Sequence, residues 1–204
     1  TERMADMQSR MPLGVAAAAT SQDLEQSMMS ARARVLSQSQ VDSLRAWTQL
    51  PVNLPAQAPL AQKVGSLYAA TLAHMLLHDM PMAWQQWQQL QALTGANTAA
   101  ARLTRLLGAE LQAAQGDHAP SMQTLQPAET YTFPELVGVA NAVAHLPGHP
   151  STDAVVQQLR RQVQSVPHDA QAWNLLGTLL ANQGQKLASL RAEGEAQLAR
   201  MDLQ

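Results

Sequence analysis

The sequence predicts an all-α fold, an array of about five antiparallel helix pairs. Three observations carry this. Alanine, leucine and glutamine dominate, isoleucine is missing, and aromatics make up only 3% of 204 residues, so strand-forming side chains are scarce. Helix-capping signals alternate with Pro- and Gly-rich punctuation along the chain. The starts of every second helix recur roughly every 35 to 39 residues, a period that means stacked helix pairs.

Residues 1–20 read as a linker helix and loop, with "MPLGVAAAAT" too short and too acidic on its N-terminal side for a signal peptide. Residues 21–204 read as the repeat domain. First helices are expected near Ser21, Leu60, Asn97, Thr132 and Asp169, and second helices near Gln40, Met80, Asp117, Ser151 and Gln185. Ser39-x-x-Asp42 and Thr132-x-x-Glu135 have capping-box spacing, and Pro134 falls in a first turn, where proline is tolerated. Asp79 and Asp169 stand where N-caps are expected. The stops are "LPVNLPAQAP", "TGAN", "QGDHAP", "LPGHP" and "VPHD".

The last pair reads "WNLLGTLL", with Trp173, Leu176-Gly177 and Leu180 in the W-x2-L-G-x2-Y pattern of the tetratricopeptide repeat (TPR), and Gly184 at the following turn. "LLGAELQAAQG" repeats the theme, and "ELVGVANAVA" places a third glycine in phase. Gly108, Gly138 and Gly177 are thus expected where paired helices approach closely. The first two hairpins are degenerate versions of the pattern. An irregular helical bundle is the alternative.

A net charge of −2 provides no electrostatic footprint for nucleic acid. Without cysteine there is no disulfide and no thiolate metal site. No stretch approaches the roughly 20 apolar residues of a transmembrane segment.

"HMLLH" sets His74 and His78 at i, i+4, the spacing at which two imidazoles on one helix face grip a metal. Met75 stands where the zinc-peptidase pattern H-E-x-x-H has its general base, and catalytic zinc takes three protein ligands. The pair is therefore read as two histidines near the C-terminal end of a first helix, with no metal site. His145, His149 and Asp153 of "HLPGHPSTD" are read as turn residues, and no nucleophile elbow accompanies them. Trp84, Trp87, Leu90 and Gln91 form one stripe, with the tryptophans expected between adjacent hairpins. Met28, Met29, Met80 and Met82 are expected to fill the core.

A curved array of helix pairs presents a groove lined by its first helices, the usual peptide-binding surface of such proteins. Aligning the three glycines puts Arg105, Glu135 and Asn174 in one groove-facing slot, with Asn141, Asn182 and His74 nearby.

Two regions resemble a known family. "TERMADMQSRMP" and "SMMSARARVLSQSQVDSLRAW" resemble the segment after the catalytic domain of periplasmic zinc metallopeptidases of the β-barrel assembly-enhancing type. "DAQAWNLLGTLLANQGQKLASLRAEGEAQLARMDL" resembles their final TPR hairpin, with Trp173, Arg191, Ala192 and Glu195 in matching places. The resemblance implies a non-catalytic TPR region that follows a protease domain, which would hold the family's zinc. This chain would itself need no cofactor. The implied location is the periplasm. The implied partners are the chain's own protease domain and either unfolded outer-membrane proteins or the machinery that assembles them. A free-standing TPR scaffold with no protease attached is the alternative.

Overall fold

The capping signals mark helix starts along most of the chain. The computed structural model describes residues 13–95, 97–125 and 131–201. Its helices are α1 (Leu13–Ser37), α2 (Val41–Thr48), α3 (Leu60–Leu76), α4 (Met80–Thr94), α5 (Thr98–Ala114), α6 (His118–Leu125), α7 (Phe133–Ala144), α8 (Thr152–Ser165), α9 (Ala170–Asn182) and α10 (Lys186–Met201). No strand occurs among the described residues. No helix among them is long and apolar enough to cross a membrane.

Asp79 caps α4 by accepting the N–H of Met82 at 3.4 Å, and Asp169 caps α9 by accepting that of Ala172 at 3.0 Å. Asn97 does the same for α5 through the N–H of Ala100 at 3.0 Å. At α7, the Glu135 carboxylate accepts the backbone N–H of Thr132 at 3.0 Å and its hydroxyl at 2.8 Å.

Two expected starts differ. Gln40, not Ser39, is the N-cap of α2 and makes no side-chain cap bond. Asp42 lies instead 3.8 Å from Arg45, one turn along an exposed face. α1 begins at Leu13, ahead of Ser21, because Ala16 to Ala19 extend the helix by propensity alone. Residues 1–12 of the expected linker lie outside the described residues.

Three hairpin turns share one backbone solution. After α3, the N–H of Asp79 donates to His74 O at 2.9 Å and that of His78 to Met75 O at 3.0 Å. After α5, Asp117 donates to Gln112 O at 2.9 Å and Gly116 to Ala113 O at 3.0 Å. After α9, Gln185 donates to Leu180 O and Gly184 to Ala181 O, both at 2.9 Å. Each is a Schellman closure, in which two orphan carbonyls are satisfied and the next residue but one past the helix turns left-handed. The residues in that position have φ of 60° (His78), 87° (Gly116) and 75° (Gly184). The turn after α7 is longer and takes its positive φ at Gly148.

Packing divides the chain into two units, Thr1–Leu107 and Gly108–Gln204. In the first, α3 packs on α1, α2 and α4, and α1 also touches α2. That surround buries α3 from Val64 to His74 on every side, as its nearly uniform apolar character requires. Leu24, Met28, Val35, Leu44, Tyr68, Leu72, Leu90 and Leu107 complete this core. A Cβ built at Gly65 would run into Ser27 Oγ, so this glycine sets the approach of α1 to α3.

In the second unit, α6 packs on α7, α7 on α8 and α9, and α9 on α8 and α10. The first helix α7 therefore meets both its own partner, α8, and the first helix of the next hairpin, α9. At Gly177 an added Cβ would sit 3.5 to 3.6 Å from Glu193, Ala192 and Ser189, ordinary contact distances. The close approach expected of this glycine belongs instead to Gly65.

Of the four methionines expected in the core, Met28 is buried, but Met29 is 58% exposed on the outer face of α1. Met80 is half-buried and Met82 exposed. Both lie in the first turn of α4, beside the cap, where the helix has not yet entered the core.

Candidate functional site

His74 and His78 do not share a helix face. α3 ends at Leu76, and the left-handed backbone at His78 carries its imidazole away from the i, i+4 position. His78 takes the place that Gly116 and Gly184 hold in their turns. The His74 ring is buried, with Nδ1 3.2 Å from Asp79 Oδ2 but without hydrogen-bond alignment.

The polar residues of "HLPGHPSTD" also go separate ways. His145 Nδ1 is 2.9 Å from Asn141 O, and its ring stacks on His118 at a centroid distance of 4.1 Å and an interplanar angle of 10°. His149 Nδ1 accepts the N–H of Ser151 at 3.2 Å, while Asp153 accepts from Gln183 Nε2 at 2.7 Å. Each of these side chains shapes a turn. His149 and Asp153 nonetheless line one cleft, while His145 stacks on His118 instead. No group of three or more His, Asp or Glu able to hold a metal occurs among the described residues.

The tryptophan stripe bridges hairpins as expected. Trp87 Nε1 donates across to Thr104 O of α5 at 2.8 Å, and Trp84 meets Trp87 edge to face at 5.3 Å. Beneath them, Thr94 and Thr104 place their buried hydroxyls 2.9 Å apart.

The six candidate groove residues occupy different settings. Arg105 is exposed on α5. Glu135 is buried and committed to the cap of α7, while Asn141 lies exposed toward that helix's other end. Asn174 is half-buried in the second turn of α9. Asn182 donates to Ala144 O at 2.8 Å, tying the C-terminal end of α9 to that of α7. Asn141 and Asn182 both lie toward the C-terminal ends of their helices, and Asn182 lines a cleft of about 360 Å³ together with Leu146, His149, Asp153 and Leu179. His74 is buried at the end of α3.

Sequence reasoning passed over Gly65 with Ser27, the Thr94–Thr104 pair, and an exposed apolar row on α10. The row was legible in its spacing; the other two depend on tertiary approach. Comparison with protein-family models, with curated proteins and with solved structures returned no match.

Proposed function

We propose that this chain is a non-catalytic, TPR-type protein-interaction region that serves a periplasmic zinc metallopeptidase by engaging unfolded outer-membrane proteins or their assembly machinery. The observation that carries the repeat reading is the recurrence of one hairpin turn at His78, Gly116 and Gly184. About two repeat lengths of 34 residues separate the second from the third. The packing of first helix on next first helix, seen for α1 on α3 and for α7 on α9, supports it. The protease attachment rests on the resemblance at the two ends of the sequence.

In this reading the polar positions on the first helices of the second unit, exposed Asn141 and half-buried Asn174, meet the bound segment. Glu135 and Asn182 hold the helices in place. A photo-crosslinking residue at Asn174 tests this in the native protein. Adducts with outer-membrane β-barrel proteins or their assembly factors, absent when the probe is moved to exposed Gln26 of α1, are expected. Adducts from Gln26 alone would overturn the groove assignment.

A further inference from the structure

One face of α10 stays apolar and open in the folded chain. Leu187 is 86% exposed, Leu190 64%, Leu198 57% and Met201 72%. At 100° per residue these four and Gly194 fall within an arc of about 80°. The opposite face, with Ser189, Ala192, Ala196 and Ala199, is buried in the second unit. Exposed apolar surface of this extent marks an interaction site.

The row has a further property. It reads the same in both directions about Gly194: Leu190 and Leu198 stand one turn to either side, and Leu187 and Met201 two turns. A two-fold axis at Gly194 therefore lays the row of one molecule antiparallel on that of another, Leu187 against Met201 and Leu190 against Leu198. Such a surface is complementary to itself.

Gly194 fits that geometry, and no contact among the described residues requires a glycine there. A glycine inside a helix is unfavourable, and a Cβ built here meets nothing within 4 Å. At the crossing point of two helices, the missing side chain lets the backbones approach. The flanks agree in charge. Arg191 and Glu195 border the same edge of the row, so an antiparallel copy sets each Arg191 near the other molecule's Glu195, twice per pair.

We propose that α10 is a self-association surface, through which two copies of this chain pair antiparallel about Gly194. An interface one helix wide lies at the small end of the range, below about 1,200 Å², so the dimer is weak and depends on concentration.

The chain has no cysteine, which makes single-cysteine crosslinking unambiguous. Sedimentation equilibrium of the 204-residue chain is expected to show the 22.0 kDa monomer giving way to a dimer as concentration rises. Gly194→Cys is expected to oxidise to a disulfide dimer. Leu187→Cys is expected to crosslink to Met201→Cys when the two variants are mixed, and not to itself. Leu190→Glu is expected to weaken the association by about tenfold or more, with its helical circular dichroism unchanged because residue 190 is exposed. A 22.0 kDa species at every concentration would overturn the proposal. So would self-crosslinking of Leu187→Cys without a Leu187–Met201 product, the mark of a parallel pair or of random collision.

Discussion

The backbone N–H of Asp79 donates to the carbonyl of His74 across 2.9 Å, and this bond folds the second histidine of "HMLLH" out of the helix. His78 is left with φ of 60°, a conformation that costs an L-residue about 1–2 kcal/mol and glycine nothing. The two equivalent turns have glycine there.

His78→Gly is therefore expected to stabilise the chain. The relief of strain is partly offset by the greater freedom of glycine in the unfolded state, leaving a gain of about 0.5–1 kcal/mol. Urea denaturation reads it directly as a raised midpoint at constant slope. An unchanged midpoint would mean that the turn is not held left-handed in solution.

Gly65→Ala and Gly177→Ala separate a glycine that packing demands from one that it does not. At Gly65 the new methyl meets Ser27 Oγ, which is already bonded to Ala61 O at 2.6 Å, and backbone Ser27 O lies only 3.3 Å away. Overpacking of this kind costs about 1–3 kcal/mol. At Gly177 the methyl finds ordinary contacts, and helix propensity improves by up to about 1 kcal/mol. The two variants should shift the thermal midpoint in opposite directions.

The Thr94 and Thr104 hydroxyls have two protons for three short contacts, one to each other and one each to Leu90 O and Ala100 O, all 2.9 Å. Replacing either alone by valine leaves a buried hydroxyl without its cross-helix partner and should cost about 1–2 kcal/mol. Replacing both should cost less than the sum of the two. A double-mutant cycle checks this, and strict additivity would mean that the hydroxyls do not interact.

Glu135→Ala removes the acceptor for both the N–H and the hydroxyl of Thr132 and should destabilise the chain by about 1–2 kcal/mol. Asn174→Ala, on a half-buried side chain without a cap role, should change stability by less than about 0.5 kcal/mol. The same thermal melts that rank the two also qualify Asn174 for crosslinking, since a binding defect there would not be a folding defect.

Local chemistry explains which parts of the fold were legible. Asp79, Thr132 and Asp169 mark their helices because a cap is made by residues within one turn of each other. The start of α1 was missed because an alanine run extends a helix without any cap to announce its end. "HMLLH" misled because i, i+4 spacing is indifferent to whether the helix lasts that long, and His78 accepts a backbone usually assigned to glycine. Gly65 was passed over since its close neighbour, Ser27, comes from another helix. Glu135 fitted two readings, cap and groove, and the cap uses its carboxylate. The groove positions were the least legible, because a polar residue on a first helix looks the same whether it meets water or a partner.

The most direct test of the account is a titration of the purified 204-residue chain with an unfolded outer-membrane β-barrel protein, following binding and cleavage together, with and without a zinc chelator. The account predicts saturable binding, weakened by substitution at Asn141 and Asn174, and an intact substrate under every condition. Failure to bind, or cleavage that the chelator stops, would contradict it.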